Sequence, residues 1–327
     1  MLFCSVLTCN ERKRFDINQR KAGGFEMTMK SGKVYFSEHS SSFVFPESIS
    51  VFGFSISFFG IFLVVAALVG IFVSIKETKR KHQNAERMIT LLTLVIVSAV
   101  LGARIYYVMF QWQVFLQHPF EVFFIRNGGL SYFGALFGVW FAVKWYCGRK
   151  KEDFLQCADT LCFGAAVAAP IVWIGCALGR EPIGRLYDGV FSVKIGSDYL
   201  PKGMEAEYAD RLLERSRNMD GMTYVSVHPV AIYGIAFAVV VALGLFILSR
   251  SGKPKGTVFV VYLLSVSVSH FVLECFRGDR CNIWGTEIPV NCVVAFVIII
   301  TIAVGWFRNR FATRNREKKV YENMNEY

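Results

Sequence analysis

The chain has 327 residues, of which 54% are hydrophobic, and it carries a formal net charge of +11. An apolar share this high exceeds that of an ordinary soluble domain. The apolar residues fall into blocks of about 20, the length that crosses the ~30 Å hydrocarbon core of a bilayer. A soluble α/β protein would instead have buried strands of about 4–8 apolar residues between turn signals. The composition therefore argues against a soluble α/β protein and indicates an integral membrane protein.

Seven apolar segments are candidate membrane-spanning helices, so the sequence predicts an all-α integral membrane protein with a seven-transmembrane helical bundle. In chain order they cover residues 52–75, 88–110, 129–147, 154–178, 229–248, 256–275 and 290–307. We expect three parts: an N-terminal segment at 1–45, a membrane domain at 46–310 and a basic tail at 311–327.

The short loops between alternate spans are rich in lysine and arginine, and they set the expected orientation. Three of them read KETKRKHQNAER, GRKKED and SRSGKPKG, and the tail after Trp306 is similarly basic. If seven spans alternate, all four lie on one side, which the positive-inside rule makes the cytoplasm. The N-terminus and the segment 179–228 are then outside and the C-terminus is cytoplasmic. The net charge needs no nucleic acid to explain it, and it also favours anionic lipid headgroups.

The first 26 residues fit this orientation poorly, because their five basic residues are unusual on the outer flank of a first span. We therefore expect the biological start to lie at Met27 or Met29. Intact-mass measurement of the native protein would test this.

The third span is preceded by polar and flexible residues in the stretch RNGGLSYFGALFG, which begins at residue 126. Asn127, Gly128 and Gly129 fit a helix start at the outer surface, where free backbone N–H groups hold an anion. The alternative is a plain loop followed by a packing face, since Gly134 and Gly138 are four residues apart.

Three further stretches bring ionisable groups to the same side of the membrane. They contribute Arg104 from the second span, Arg180, Glu181 and Arg185 from the end of the fourth, and His270, Glu274 and Arg277 from the sixth. Ionisable residues inside spans are costly and usually face a protein interior or a wet cavity. The joint pattern predicts a site for an anionic lipid headgroup, although Glu274 and Arg277 alone would also fit a structural ion pair.

Five stretches, in order, resemble the prolipoprotein diacylglyceryl transferases of bacteria: GARIYYVMF, NGGLSYFGALFG, IGCALGREPIGR, VHPVAIYG and FVLECFRGDR. The resemblance runs from about residue 45 to residue 307. It implies a seven-span bundle in the cytoplasmic (inner) membrane, with a periplasmic cap between the fourth and fifth spans. It also implies transfer of the diacylglyceryl group of phosphatidylglycerol to the lipobox cysteine of a preprolipoprotein, the first step of lipoprotein maturation. No metal or soluble cofactor is implied, and no Cys/His cluster has zinc-ligand spacing.

This chemistry requires a cationic clamp for a phosphate and assistance for a thiol to react as thiolate. The expected catalytic residues are His270, Glu181 and Glu274. The expected substrate-binding residues are Arg104, Asn127, Gly128, Gly129, Arg180, Arg185, His228, Tyr233 and Arg277.

The chain departs from the family pattern at positions linked to chemistry. Apolar or small residues replace a histidine at Phe133, an arginine at Trp173, an asparagine at Cys176, a glutamate at Gly234 and tyrosines at Phe59 and Val266, and His270 stands where the family has arginine. The chain is then either a divergent enzyme that uses neighbouring groups such as Arg180, Arg185 and His270, or a lipid-binding homologue without transferase activity. A transporter or channel fits less well, because the ionisable residues gather at one face.

Overall fold

The computed structural model describes residues 28–36, 43–51, 54–110, 112–117, 119–123, 130–179, 182–189, 191–196, 216–219, 222–278 and 289–305. Its α-helices are α1 (Phe58–Arg80), α2 (Ala85–Phe110), α3 (Trp112–Gln117), α4 (Tyr132–Lys150), α5 (Phe154–Leu178), α6 (Val230–Arg250), α7 (Thr257–Phe276) and α8 (Val290–Gly305), with a 3₁₀ turn at Pro119–Phe123. Within these residues, α1, α2, α5, α6 and α7 are long and apolar enough to cross a membrane. A helix overlaps each of the seven predicted spans, and the chain is a multi-pass membrane protein.

The helices present large apolar side chains outward, as expected for surfaces in contact with lipid rather than water. On α1, Leu68 and Phe72 are 61% and 66% exposed, and on α6, Val240 and Ile247 are 67% and 70% exposed. The interior is built around α5, which packs against α1, α6 and α7, while α2 packs against α4.

Glycines allow α2 and α4 to approach within backbone contact. A Cβ atom on Gly138 would lie 2.2 Å from the carbonyl oxygen of Ser98, and one on Gly134 would lie 2.5 Å from that of Gly102. Small residues of this kind let membrane helices pack closely. The predicted packing face at Gly134 and Gly138 is therefore confirmed.

Ion pairs join the basic loops at one end of the bundle, called the basic end below. Arg87 at the start of α2 pairs with Glu152 between α4 and α5. Lys255 between α6 and α7 lies 2.9 Å from Asp153. These contacts place the turns after α1, α4 and α6 side by side, as alternating spans require.

The opposite end, called the cap end, carries a six-stranded antiparallel sheet. Its strands are β1 (Thr28–Phe36), β2 (Phe43–Val51), β3 (Phe54–Ser57), β4 (Val193–Gly196), β5 (Arg217–Met219) and β6 (Met222–Val227), in the order β3-β2-β1-β4-β6-β5. Residues before α1 and residues between α5 and α6 thus form one sheet, joined where β1 pairs with β4 through Val34 and Ile195.

This sheet corrects the expectation of an all-α fold, which describes the apolar segments only. It also corrects the start of the first predicted span, 52–75, because the alternating Phe-Ser-Ile-Ser of β3 forms a strand, and α1 runs from Phe58 to Arg80 instead. The helix starts only at Phe58, where the hydroxyl of Ser57 accepts a hydrogen bond from the N–H of Gly60 at 3.1 Å.

Candidate active site

Backbone hydrogen bonds at the cap end join three of the sequence motifs. The segment after α5 pairs with the end of α7 through a bridge between Gly184 and Arg277. The N–H of Arg185 donates to the carbonyl of Phe276 at 2.8 Å, and the N–H of His228 donates to the carbonyl of Arg185 at 2.9 Å. The motifs IGR, HP and FRG therefore form one continuous backbone unit.

Sterics explain why the residue in the middle of this unit, at position 184, is a glycine. A Cβ atom on Gly184 would lie 2.1 Å from the carbonyl oxygen of His228, which is backbone and cannot rotate away. Glycine permits this close approach of two chain segments. The residues on either side of it, including the exposed Arg185, are therefore held at a fixed distance from His228.

Glu274 and Arg277 form a buried ion pair at the end of α7. Their side chains are 1% and 4% exposed, and the Arg277 Nη1 lies 3.2 Å from the Glu274 Oε2. The amide Nδ2 of Asn291, at the start of α8, donates to the same oxygen at 3.3 Å. The structural ion pair expected from the sequence is present, and Asn291 is a member that sequence reasoning missed. The only feature of the sequence that pointed to Asn291 was its position as an isolated amide at the start of an apolar segment.

Arg104 lies on α2 in a buried position and holds the segment that follows the helix. Its Nε donates to the carbonyl of Val122 at 2.8 Å. Its guanidinium carbon lies 5.7 Å from the ring centre of Tyr107 and 5.4 Å from that of Phe115. This surrounding of aromatic faces and a carbonyl stabilises the buried cation.

His228 sits among aromatic rings, named here the His228 cluster: His228, Tyr187, Tyr233 and Phe276. The Tyr187 ring stacks on the imidazole at 4.0 Å, and Phe276 meets it edge-on at 5.2 Å. The Tyr233 hydroxyl lies 3.4 Å from the imidazole Nδ1. Burial and the positive charge of Arg185 lower the pKa of His228. The ring is therefore neutral at pH 7 and able to accept a proton.

His270 lies on α7 against the first turn of α4. Its ring centre is 4.7 Å from that of Tyr132 and 5.7 Å from that of Phe133.

Trp173, on α5, lies against α6, where a Cβ atom on Gly234 would be 2.1 Å from the indole.

The structure thus brings Arg185, His228, Tyr233, Glu274 and Arg277 together around one backbone unit. Arg104 lies on α2 and contacts Val122, whereas His270 lies beside the first turn of α4. The remaining predicted site residues, Asn127, Gly128, Gly129, Arg180 and Glu181, lie outside the described residues.

Comparison with known proteins decides the family. A family model described as prolipoprotein diacylglyceryl transferase matches residues 46–308. The chain belongs to this family. Three relatives, each described as a phosphatidylglycerol–prolipoprotein diacylglyceryl transferase, illustrate the similarity. The Bacillus licheniformis protein is 25% identical over 83% of this chain and 93% of its own length. The Nostoc sp. protein is 29% identical over 72% and 79%, and the Clostridium botulinum protein is 27% identical over 78% and 93%.

Four of the positions at which the resemblance implies a departure from the prolipoprotein diacylglyceryl transferase pattern form two contacting pairs. Phe133 is adjacent to His270. Trp173 lies against Gly234. These positions are therefore paired in space, although the members of each pair are distant in the sequence.

Proposed function

We propose that this chain transfers the diacylglyceryl group of phosphatidylglycerol to the cysteine thiol of a prolipoprotein. The observation that carries the proposal, beside membership of the family, is the backbone unit at the cap end. It fixes arginines and a neutral histidine at the end of the helices, where lipid headgroups meet water.

The reaction forms a carbon–sulfur bond and breaks the bond between the glyceryl carbon and the phosphate oxygen. Glycerol phosphate leaves, and the thiol proton passes to a base and then to solvent or phosphate. Arginine suits the phosphate because its planar fork makes paired hydrogen bonds that lysine cannot reproduce. Arg185 is exposed at the cap end and contacts the headgroup, while Arg104 and Arg277 support it from buried positions.

The other predicted residues complete the proposal. Asn127, Gly128, Gly129 and Arg180 contribute anion contacts in addition to that of Arg185. Glu181 and Glu274 provide carboxylates that orient the cationic groups. His228 and Tyr233 contribute polar groups at the backbone unit, where their ring contacts hold them.

His270 takes the place of the histidine that the family has at position 133. Its ring lies 5.7 Å from that of Phe133, so an imidazole borne by α7 replaces one borne by α4 in the same neighbourhood. A positioned histidine accelerates proton transfer by about 10²–10⁴-fold. We expect His270→Gln to lose transfer while its thermal midpoint stays near that of the wild type, and Phe133→His to restore activity to it. Full activity of His270→Gln would exclude the role.

The proposed topology has seven spans, with α4 and α8 joining the five long helices. The N-terminus lies outside, the C-terminus in the cytoplasm, and the sheet forms a cap on the periplasmic side of the inner membrane. It is supported by the ion pairs that gather the basic loops and by the sheet that joins β1 to β4. Single cysteines at positions 200 and 253 in a background without reactive thiols test it. Labelling of position 253 but not 200 by an impermeant reagent would reverse it.

The decisive genetic experiment is complementation of a bacterial strain depleted of its own transferase. We expect the wild-type chain to restore growth and lipoprotein processing, and Arg185→Lys to restore them poorly despite the retained charge. A chain that is folded, membrane-inserted and able to bind phosphatidylglycerol vesicles but unable to complement would instead be a lipid-binding homologue, the reading favoured by the apolar residues at 133 and 173.

A further inference from the structure

Trp173 and Gly234 fit each other as a large and a small residue. Three ring carbons of Trp173 lie 2.1–2.3 Å from the place where a Cβ atom on Gly234 would stand. Contacts this short do not occur between atoms, so the backbone of α6 rests directly on the indole. The indole is only 9% exposed, and its surroundings leave it little room to move aside.

Neighbouring residues connect the contact between Trp173 and Gly234 to the His228 cluster. Trp173 belongs to an apolar cluster with Val230 and Leu273, against which Tyr233 and Phe276 pack. Tyr233 directly precedes Gly234, and its hydroxyl lies 3.4 Å from the imidazole Nδ1 of His228. The Phe276 ring lies 5.5 Å from that of Tyr233. A shift of α6 at Gly234 therefore moves the hydroxyl that faces His228.

We propose that Trp173 is a positioning residue: its ring occupies the space of a side chain at position 234 and so fixes Tyr233 against His228. This role rests on the proposed function, in which His228 is part of the transfer site. A hydroxyl held at Nδ1 selects which ring nitrogen carries the proton. That choice decides whether Nε2 donates or accepts a hydrogen bond. Trp173 and Gly234 do not contact the reacting atoms; they act on Tyr233 and His228 only through the packing of α6 against α5.

A cycle of conservative variants tests the proposal. Gly234→Ala inserts a methyl group into the indole, Trp173→Phe removes one ring and makes room, and the double variant combines them. Gly244→Ala, on the same helix with nothing within 4 Å of the added atom, is the matched control. The readouts are the thermal midpoint, kcat and KM for transfer to a lipobox peptide, and the titration midpoint of His228 by NMR of ¹³C-labelled histidine, assigned with His228→Gln.

We expect Gly234→Ala to shift the His228 titration and to lower kcat by on the order of 10- to 100-fold, with little change in KM for lipid. Trp173→Phe in the same chain should recover both, and Gly244→Ala should change neither. The charged and titratable groups recorded around His228 are Arg185, Tyr187 and Tyr233, and only Tyr233 neighbours the substituted position.

Two results would overturn the proposal. One is a Gly234→Ala variant with a lower thermal midpoint but an unchanged His228 titration and an unchanged kcat of the folded protein, which would make the contact purely structural. The other is additive effects of the two single substitutions in the double variant. If the wild type transfers nothing, the proposed function fails, but the titration of His228 in the four variants still decides whether Trp173 positions it.

Discussion

Asp159 on α5 holds the start of α7, and replacing it should loosen the helix that carries His270, Glu274 and Arg277. The side chain is 5% exposed. Its two carboxylate oxygens accept hydrogen bonds from the N–H groups of Gly256 and Phe259, each at 2.7 Å. Gly256 has no capping side chain of its own and adopts a φ of +88°. Asp159 therefore caps α7 from another helix.

The cost of removing this cap follows from its two bonds. Asp159→Ala leaves two N–H groups without acceptors in or near the interior, at about 1–3 kcal/mol each. It also removes a negative charge from a helix N-terminus, worth about 0.3–1 kcal/mol or somewhat more when partly buried. The total is about 2–7 kcal/mol. Asp159→Asn keeps one acceptor oxygen, so it should cost roughly half as much.

Asp153 offers a matched comparison at the same end of the bundle. It caps α5 by accepting from the N–H of Leu155 at 3.0 Å, but its side chain is 42% exposed. Loss of an exposed cap costs about 1 kcal/mol, and the pair that Asp153 forms with Lys255 adds little because water screens it.

The assay is thermal unfolding of the purified protein in detergent. Each kcal/mol shifts the midpoint by about 2–4 °C in a domain of 150–250 residues. We expect Asp159→Ala to lower it by on the order of 10 °C, Asp159→Asn by about half of that, and Asp153→Ala by about 2–4 °C. An Asp159→Ala variant no less stable than Asp153→Ala would show that the two hydrogen bonds from Asp159 to α7 contribute no more than an exposed cap.

The remaining predictions concern packing, the ion pair and pH. Gly138→Ala should destabilise by about 1–3 kcal/mol or more, since its methyl group would meet a backbone oxygen, whereas Gly148→Ala meets nothing and should be neutral in the same unfolding assay. Glu274→Gln should cost about 3–5 kcal/mol because it leaves the Arg277 charge buried, and Arg277→Gln added to it should restore part of the thermal midpoint; a loss in the double variant equal to the sum of the two single losses would argue against a coupled pair. The pKa of His228 is lowered in the folded chain, so the unfolded chain binds more protons just below pH 6.5. The wild type should therefore lose stability relative to His228→Gln as the pH falls from 7 to 5, and parallel pH profiles of the two proteins would show that the shift is absent.

The sequence located the apolar helices well because length and hydropathy are local properties. The segment predicted at 154–178 coincides with α5. The segment predicted at 256–275 corresponds to α7, which begins and ends one residue later. The basic loops likewise lie together at one end, as the alternation of spans predicted.

The sheet was missed because strand pairing is not local. Val34 of β1 pairs with Ile195 of β4, far along the chain. Neither segment is apolar enough to stand out beside the membrane helices, and β3 was absorbed into the first predicted span. Alternation of Phe54, Ser55, Ile56 and Ser57 was the available signal for that boundary.

For the candidate site, sequence identified individual residues but not their neighbours. His270 was expected to be a catalytic residue, and the structure adds that its ring lies beside that of Phe133. The departures at Trp173 and Gly234 looked like separate losses, and only packing shows that they are in contact. No pattern in the sequence linked Asn291 to Glu274, because their contact depends on how α8 packs against α7.

Transferase activity is tested most directly with the purified chain in vesicles that contain phosphatidylglycerol. A synthetic peptide with a lipobox cysteine is the acceptor, and the same peptide with serine in that position is the control. We expect a thioether-linked diacylglyceryl peptide together with one equivalent of glycerol phosphate, and neither product with the serine peptide. A chain that remains folded and binds these vesicles but forms no thioether product, under conditions where a relative such as the Bacillus licheniformis protein does, would contradict this expectation.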